Sequence, residues 1–494
     1  MYKQLYFIKG LLFITLLTVS CNKQLLNPVP ESLLTTANAF TVAKDINLAV
    51  LGVYNRMQSR AQKDFELFEI PSDNMWGAYF ATAPGMDEIG NLSVSVENPK
   101  LNTFWKDTYN GIFRANTVLA NIDVPKDYTG SQKDQYTGEA KFMRAMFYFD
   151  LVRIFGGVPA ITTLVNVDES RQVPRATEAE IYTLIIKDLE DAVAKLPAPS
   201  AIERGRASKG AALALLAKVD IYQKNWADAK KYIEQMIKDY SYSLVPKFGD
   251  LFKVETESNA EAVFSMPYVA GTNGQGLTYD LAPLGGIFEL IINGNRVARP
   301  TWNLRKAFEK GDSRFPVTIA EDWLPYAHKP GEASIWFPYF NKFIGPIKDA
   351  TSSGIDIPLI RFADVLLLYS EALYNLDQKP QALEQLNRVR QRAFGDATHN
   401  YTLADVPTLQ TFMDKLLLER RLELAVENNR WFDLVRTDRF VSTLQNIESE
   451  YNNATGTGAV IRALKPQAYM KYFPIPYEQI QLAGSGVLKQ NTGY

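Results

Sequence analysis

Three glutamates, Glu419, Glu423 and Glu427, recur at every fourth position in the C-terminal part of the chain. This spacing places three carboxylates on one face of a helix. Two carboxylates roughly 5 to 9.5 Å apart across a sugar could hydrolyse a glycosidic bond, so a glycoside hydrolase is one interpretation. Four arginines nearby would pair with these acids: Arg420, Arg421, Arg430 and Arg436. We therefore predict a structural set of ion pairs, not a catalytic acid pair.

Aromatic side chains of two loops suggest a second kind of chemistry, which is sugar binding. Flat aromatic faces can pack on the C–H surface of a pyranose, and neighbouring amides and carboxylates can bond to its hydroxyl groups. One loop has Trp76 and Tyr79 beside Asp73 and Asn74. A longer region contains six further aromatics: Tyr279, Trp302, Trp323, Tyr326, Trp336 and Tyr339. A peptide ligand would instead favour apolar pockets and backbone partners, and that alternative stays open.

The sequence lacks the residues that several other kinds of chemistry require. One Cys and two His cannot form an internal disulfide or a zinc site of the usual ligand types. The Gly-rich stretch 271–276 is not followed by the Gly-Lys-Ser/Thr of a phosphate loop. A formal net charge of -2 argues against a nucleic-acid partner. We expect no catalytic residue, no metal and no cofactor.

Helices must position these side chains. Apolar periodicity predicts helices from about Phe40, over Phe104–Asn121 and Gln132–Phe155, and from Thr177. Two later segments have the pattern of tetratricopeptide-type helical hairpins: Gly210–Tyr240 and Asp364–Ala393. Between them, 241–358 is rich in Gly, Pro and aromatics, and 262–266 reads as a strand. Long loops on a rigid frame are where binding residues concentrate.

The N-terminus has the pattern of an export signal. Lys3 and Lys9 flank the start of a short apolar run, 11–19, which is too short to span a bilayer. Residues 17–21 end in the single cysteine, Cys21, and resemble a bacterial lipobox. We predict that 1–20 is a lipoprotein signal peptide, that Cys21 carries the lipid, and that 21–39 is an extended tether. The alternative is an ordinary secretory signal with an incidental cysteine.

Several blocks in order along the chain resemble the SusD/RagB family of outer-membrane lipoproteins. They cover essentially the whole sequence, from the lipobox to the last residue, in these segments: 138–159, 205–219, 361–373, 386–390, 419–436, 474–476 and 490–494. The resemblance implies a mainly α fold, in which a tetratricopeptide-like helical hairpin scaffold carries a large, irregular, loop-rich insertion. It also implies a single domain, 40–494, with scaffold at about 40–240 and 359–440, a ligand-binding region at about 241–358, and a C-terminal segment, 441–494.

The same resemblance implies a function. Family members bind glycans, or in some branches peptides, without catalysis and pass them to a SusC-like TonB-dependent outer-membrane transporter. The chain would then lie at the cell outer membrane, held by its lipid and facing the exterior. Asn22, Lys23 and Gln24 depart from the acidic residues that often follow the lipidated cysteine in exported members. A tetratricopeptide-type adaptor that binds only protein is the alternative function.

The ligand site of the family is usually built from the two aromatic loops. The resemblance therefore implies that ligand contacts come first from the loop between the first two helices and then from the long loop region. In this sequence these residues are Asp73, Asn74, Trp76 and Tyr79, followed by Trp302 and Trp336.

Overall fold

The computed structural model describes residues 39–77, 84–283, 294–295, 297–325, 334–445, 447–452, 457–462, 464–484 and 486–494. The predicted signal peptide, Cys21 and nearly all of the tether lie outside this part. So do Tyr79, Tyr326 and the side chain of Trp323.

The described chain is mainly helical, as predicted. Its helices are α1 (Ala43–Ala61), α2 (Phe65–Phe68), α3 (Met86–Gly90), α4 (Pro99–Asn121), α5 (Gln132–Phe155), α6 (Val167–Arg171), α7 (Glu178–Lys195), α8 (Lys209–Gln223), α9 (Trp226–Asp239), α10 (Leu277–Leu281), α11 (Trp302–Ala307), α12 (Phe315–Thr318), α13 (Phe362–Asn375), α14 (Lys379–Phe394), α15 (Leu409–Leu424), α16 (Arg430–Arg436), α17 (Phe440–Leu444) and α18 (Tyr477–Ala483).

Local signals set several of these boundaries. Helix α5 has the predicted bounds and ends at Gly156, whose φ of 72° is left-handed. Helix α7 starts after Thr177, whose hydroxyl accepts from the backbone N–H of Glu180 in a capping box. Helix α4 begins earlier than predicted, at Pro99, because the Asn98 side chain caps it by accepting from two backbone N–H groups. The periodic apolar pattern did not include that first turn.

The long helices pack against one another largely in chain order. Contacts run from α1 to α4, α5, α7, α8 and α9, and then to α13, α14 and α15. Both predicted hairpins are confirmed, as α8–α9 and α13–α14. Each buries its apolar faces against the next pair rather than alone, which is the packing of helical repeats. One large core of buried side chains results.

Strands form four two-stranded antiparallel ribbons in the described residues. They pair β1 with β3, β2 with β6, β4 with β5, and β7 with β8, with these bounds: β1 (Met75–Trp76), β2 (Ala262–Met266), β3 (Arg299–Pro300), β4 (Ile319–Pro325), β5 (Ser334–Phe340), β6 (Ile357–Arg361), β7 (Ile447–Asn452) and β8 (Thr457–Arg462). The predicted strand 262–266 is confirmed. Its partner β6 leads directly into α13, so the β2–β6 ribbon ties the loop-rich insertion to the helical scaffold.

A buried ion-pair network holds the insertion against α15. The three glutamates of the ladder are 0%, 0% and 8% exposed, and their cations come from outside α15. Glu419 pairs with Arg314 and Arg390, Glu423 with Arg361 and Arg392, and Glu427 with Arg361 and Lys342. The ion-pair interpretation is therefore confirmed, and no sugar can reach between these acids.

The predicted arginine partners are wrong. Successive helix residues point about 100° apart, so Arg420 and Arg421 face away from the glutamates that they adjoin in sequence. Arg420 pairs instead with Asp364 and Asp433, Arg421 and Arg430 with Asp73, and Arg436 with Glu371 and Asp433.

Across the described ranges, no helix combines the length and apolar character needed to cross a bilayer.

Candidate ligand-binding site

The β1–β3 pair joins the two aromatic loops. Met75 lies opposite Pro300, and Trp76 lies opposite Arg299. Thr301 stabilises this junction through both its backbone and its side chain. Its backbone N–H donates to the carbonyl of Asn74 at 2.9 Å, and its hydroxyl donates to the carbonyl of Asp73 at 2.6 Å. The same hydroxyl accepts from the backbone N–H of Leu304 at 3.0 Å and so caps α11.

Asp73, predicted as a ligand contact, is 2% exposed and belongs to an ion-pair cluster. Arg430 donates to both of its carboxylate oxygens, at 2.7 and 2.9 Å, and Arg421 lies 3.2 Å away. Burial alone would raise the pKa of Asp73, but the two guanidinium groups outweigh burial and lower it to about 2. The side chain therefore anchors the loop that leads to Trp76 and does not face solvent.

Asn74, the second predicted contact, is fully buried. Its amide nitrogen donates to Glu69 Oε1 at 2.8 Å, and its oxygen accepts from Arg421 at 2.7 Å. Glu69 Oε1 also accepts from the backbone N–H of Val426 at 3.0 Å, while Oε2 has no hydrogen-bond partner among the described residues. Burial raises the pKa of Glu69 to about 7. Asn74 thus links the loop to the end of α15.

The first of two aromatic groups contains Trp76, and we call it the Trp76 stack. The Arg299 guanidinium lies 5.0 Å from the ring centroid of Trp76 and 5.1 Å from that of Phe337. Arg299 and Phe337 are buried, whereas Trp76 is partly exposed. A planar guanidinium between two rings fixes their separation and orientation.

The second group, the Trp302 stack, contains two of the predicted tryptophans. Trp302 and Trp336 meet edge to face, with ring centroids 6.0 Å apart. The Arg305 guanidinium lies 4.8 Å from the Trp302 centroid and 5.6 Å from the Trp336 centroid. Arg305 also pairs with Glu321 of β4, with Nη2 and Oε2 3.0 Å apart. Trp336 is 7% exposed, while Trp302 is partly exposed.

The two stacks lie on opposite faces of β5. Trp336 and Phe337 are consecutive residues of a regular strand, and successive side chains of a strand point to opposite faces. Each stack thus offers one partly exposed tryptophan, Trp76 on one face and Trp302 on the other. Arg299 and Arg305 hold the rings and were not predicted. Their only sequence signal is position: each lies three residues from Trp302.

The other aromatics of the loop region lie in different surroundings. Tyr339 is buried, and Tyr279 packs beside Ala282 and Ile347 in a small apolar cluster of its own. Nowhere in the described ranges do three or more His, Cys, Asp or Glu residues come together as a metal site would require. The two stacks therefore present two partly exposed tryptophan rings, Trp76 and Trp302, each packed against an arginine.

Comparison with known proteins identifies the family. The SusD family model matches residues 303–494, and a model described as starch-binding and associating with the outer membrane matches residues 30–221. The chain belongs to the SusD family. Trp76 falls in the range 30–221 and Arg305 in the range 303–494, so the two models together include parts of both stacks.

Relatives and solved structures agree with this assignment. The chain is 25% identical to the SusD-like protein P25 of Formosa agariphila, with 94% of each chain covered. It also superposes on a laminarin-binding SusD-like protein with a TM-score of 0.75 and 25% identity, covering 91% of this chain and 99% of that one. A SusD-like protein of Bacteroides fragilis superposes with a TM-score of 0.79 at 21% identity, over 93% and 99%. The helical SusD fold thus extends over almost the whole chain.

Proposed function

We propose that this SusD-family protein captures an oligosaccharide through Trp76 and Trp302, without catalysis. The observation that carries the proposal is the pairing of β1 with β3, which gathers tryptophans from two distant loops around one strand. Support also comes from the starch-binding description of the matching model and from the laminarin-binding SusD-like structure. Asp73 and Asn74 act in this proposal by positioning the Trp76 loop.

The chemistry of the stacks suits a neutral polyhydroxylated ligand. A partly exposed indole offers an apolar face to sugar C–H groups, and it loses little side-chain entropy because its orientation is already fixed. Arg305 presents N–H groups to hydroxyl oxygens, while Glu321 balances its charge. A ligand bound in this way contacts the protein through the outer surface of its sugar rings. It does not lie between two carboxylic acids, as the substrate of a glycoside hydrolase does.

Retention at the membrane is the second part of the proposal. We infer that Cys21 carries the lipid, that residues 21–39 tether the domain to the outer membrane, and that the domain faces the exterior. The ligand then passes to a SusC-like TonB-dependent transporter. Support comes from the family description and from the lipobox-like segment 17–21. Two or more acyl chains would give stable attachment.

Calorimetric titration with laminarin oligosaccharides, followed by chromatography of the incubated ligand, tests the binding function. We expect saturable binding and no shorter products. Trp76→Ala and Trp302→Ala should each weaken binding, by about 1–2 kcal/mol if that ring contacts the ligand. Because the stacks lie on opposite faces of β5, the two single variants measure the contribution of each face separately. Tyr279→Ala, in its separate apolar cluster, is the matched control.

Three outcomes would contradict parts of the proposal. Unchanged affinity in both tryptophan variants would reject the site. Release of shorter sugars would reject the non-catalytic function. If the protein binds peptides but none of the laminarin, starch or other glycan oligosaccharides, the ligand class is peptide and not saccharide.

Membrane attachment has its own test. The full-length chain, expressed in a bacterium with an outer membrane, should incorporate labelled palmitate and sediment with outer membranes. Cys21→Ser should remove the label and release the protein. Co-purification of a SusC-like transporter with the wild type would support the transfer step, and its absence under mild solubilisation would count against it.

A further inference from the structure

An apolar groove of about 490 Å³ lies on the helical scaffold, apart from both stacks. It is formed between α4, the segment 159–173 that contains α6, and α18. None of the described residues that line it belongs to the Trp76 stack or the Trp302 stack. The apolar side chains along it include Trp105, Phe113, Ile161, Val167, Leu482 and Leu488.

Three of these apolar side chains, one from each wall of the groove, are open to solvent. Phe113, Val167 and Leu482 are 51%, 65% and 46% exposed. Exposed apolar side chains that meet in one groove, unlike scattered ones, mark an interaction site.

The charged residues among the described lining are two cations, Lys106 and Arg171. Each lies 3.5 Å from an exposed carboxylate, that of Glu478 for Lys106 and that of Asp168 for Arg171. Ion pairs so open to solvent contribute little and exchange partners readily. The groove therefore favours an occupant that is apolar and carries an acidic residue.

The sequence that leads into α1 has this composition. Residues 22–38 contain a single acidic residue, Glu31, and five Leu and Val residues: Leu25, Leu26, Val29, Leu33 and Leu34. Val29 and the leucine pair 33–34 flank Glu31. The prolines at 28 and 30 favour an extended chain on this side of Glu31.

The start of α1 lies at the C-terminal end of α4. The backbone N–H of Ala43 donates to Asp127 Oδ1 at 2.8 Å, just beyond that end. Further along, Arg114 of α4 donates to the carbonyl of Gly52 at 2.7 Å, so the two helices run antiparallel. The segment 22–38 therefore joins the described chain beside the end of α4.

The leucine pair can reach the groove from there. From Asn121, at the end of α4, back to Phe113 is about 12 Å at 1.5 Å per helical residue. An extended chain covers about 3.3 Å per residue, so the leucine pair can lie up to about 17–20 Å from Ala39. Glu31 follows two residues further on, toward the two cations.

We propose that residues 29–34 dock in this groove of their own chain, with the Leu and Val side chains on its apolar walls and Glu31 beside the two cations. Docking goes beyond the proposed function, since it needs neither a lipid nor a glycan. One consequence rests on that function. If Cys21 is lipidated, only residues 21–28, spanning at most about 26 Å, separate the membrane from the docked segment. This side of the scaffold is then held toward the membrane.

Disulfide cross-linking of the full-length chain, in the membranes of a bacterium that expresses it, tests the docking. Leu34→Cys is combined with Phe113→Cys in the groove. The matched control combines Leu34→Cys with Leu48→Cys, at a residue of α1 that is 56% exposed, within reach and outside the groove. Oxidation should join tryptic peptides 24–44 and 107–114 about tenfold faster than peptides 24–44 and 45–56, as burial of one or two apolar side chains predicts.

A third substitution and a second background complete the test. Leu33→Asp should slow the first cross-link by about tenfold, because it removes one of the docked apolar side chains. The preference for Phe113→Cys should persist when Cys21→Ser is added, since docking does not need the lipid.

The outcomes separate docking from the proposed function. Equal rates in the Phe113→Cys and Leu48→Cys variants, or an unchanged rate with Leu33→Asp, would overturn docking and leave glycan binding and lipid attachment untouched. Loss of the preference with Cys21→Ser would overturn docking that is independent of the lipid. Cross-links that join two copies, seen as dimers on a non-reducing gel, would assign the groove to a neighbouring molecule and overturn docking within one chain.

Discussion

Arg430 and Asp73 form a two-point ion pair between residues 357 positions apart in the sequence. The distances, 2.7 Å for Nε to Oδ1 and 2.9 Å for Nη2 to Oδ2, show a planar guanidinium facing a planar carboxylate. Through this pair, α16 holds the loop that carries Trp76.

Replacing Asp73 with Asn should destabilise the fold and loosen the Trp76 loop. The change keeps the shape of the side chain but leaves Arg430 and Arg421 buried with less compensation, at a cost of about 3–5 kcal/mol. Urea unfolding should report the loss, and calorimetric titration should show weaker oligosaccharide binding. A change below about 1 kcal/mol, typical of an exposed pair, would contradict the anchoring role.

The same pair predicts loss of stability in acid. The folded-state pKa of Asp73 is about 2, below the unfolded value of about 3.9. The stabilisation is therefore present above pH of about 4 and is lost as pH falls through about 2, with a size of about 2–3 kcal/mol. Urea midpoints between pH 5 and 2.5 should fall less steeply for Asp73→Asn than for the wild type.

Glu69 predicts a pH dependence of the opposite sign. Its folded-state pKa of about 7 exceeds an unfolded value of about 4.3, so the folded chain binds the extra proton between these pH values. Its contribution is present below pH of about 4 and is lost as pH rises through about 7. Glu69→Gln keeps an oxygen for Asn74 and Val426 and removes the buried charge. The variant should therefore gain stability over the wild type on going from pH 5 to pH 8. An exposed control, Glu384→Gln, should show no such trend, and an equal trend in both would contradict the prediction.

Glu423 should contribute far more to the free energy of unfolding than a surface carboxylate does. Glu423→Gln leaves Arg361 and Arg392 under-compensated at a fully buried site, and we expect a loss of about 3–5 kcal/mol. Asp134→Asn, which breaks an exposed pair with Lys195, should cost about 0–1 kcal/mol. Added salt should reduce the second effect and leave the first nearly unchanged. Equal effects in chemical unfolding would show that the network contributes nothing beyond surface pairing.

Two helical glycines should respond to alanine in opposite directions. At Gly52 in α1, the nearest atom to an added Cβ is 3.9 Å away, so Gly52→Ala should stabilise by about 0.5–1 kcal/mol through helix propensity. At Gly111 in α4, the Cβ would lie 2.3 Å from the Phe147 ring, and Gly111→Ala should destabilise by about 1–3 kcal/mol. Thermal unfolding would measure both. Destabilisation at Gly52 would mean that the α1–α4 contact is tighter than the structure indicates.

The sequence patterns predict the local structure better than the site. Helix α5 and the two hairpins follow from periodicity and stop signals carried within each segment. The burial of Asp73 and Asn74 depends on Arg421 and Arg430, hundreds of residues away, and nothing near the loop indicates it. Likewise, the division of Trp76 and Trp302 between two faces depends on the β3 and β5 registers. Family resemblance points to the two loops that the β1–β3 pair brings together, but not to the side of the strand on which each ring lies.

The Asp73 carbonyl accepts from the hydroxyl of Thr301 and also from Arg421 Nη2, each at 2.6 Å, and this has a consequence for how such a protein changes its ligand. These bonds hold the main chain of the loop, and every amino acid has the same main-chain carbonyl. Side chains a few positions further on, such as Trp76, can therefore be exchanged without removing the bonds that hold the loop in place. New specificities can arise here by substitution at the tips of the loops, on a frame whose geometry is already fixed.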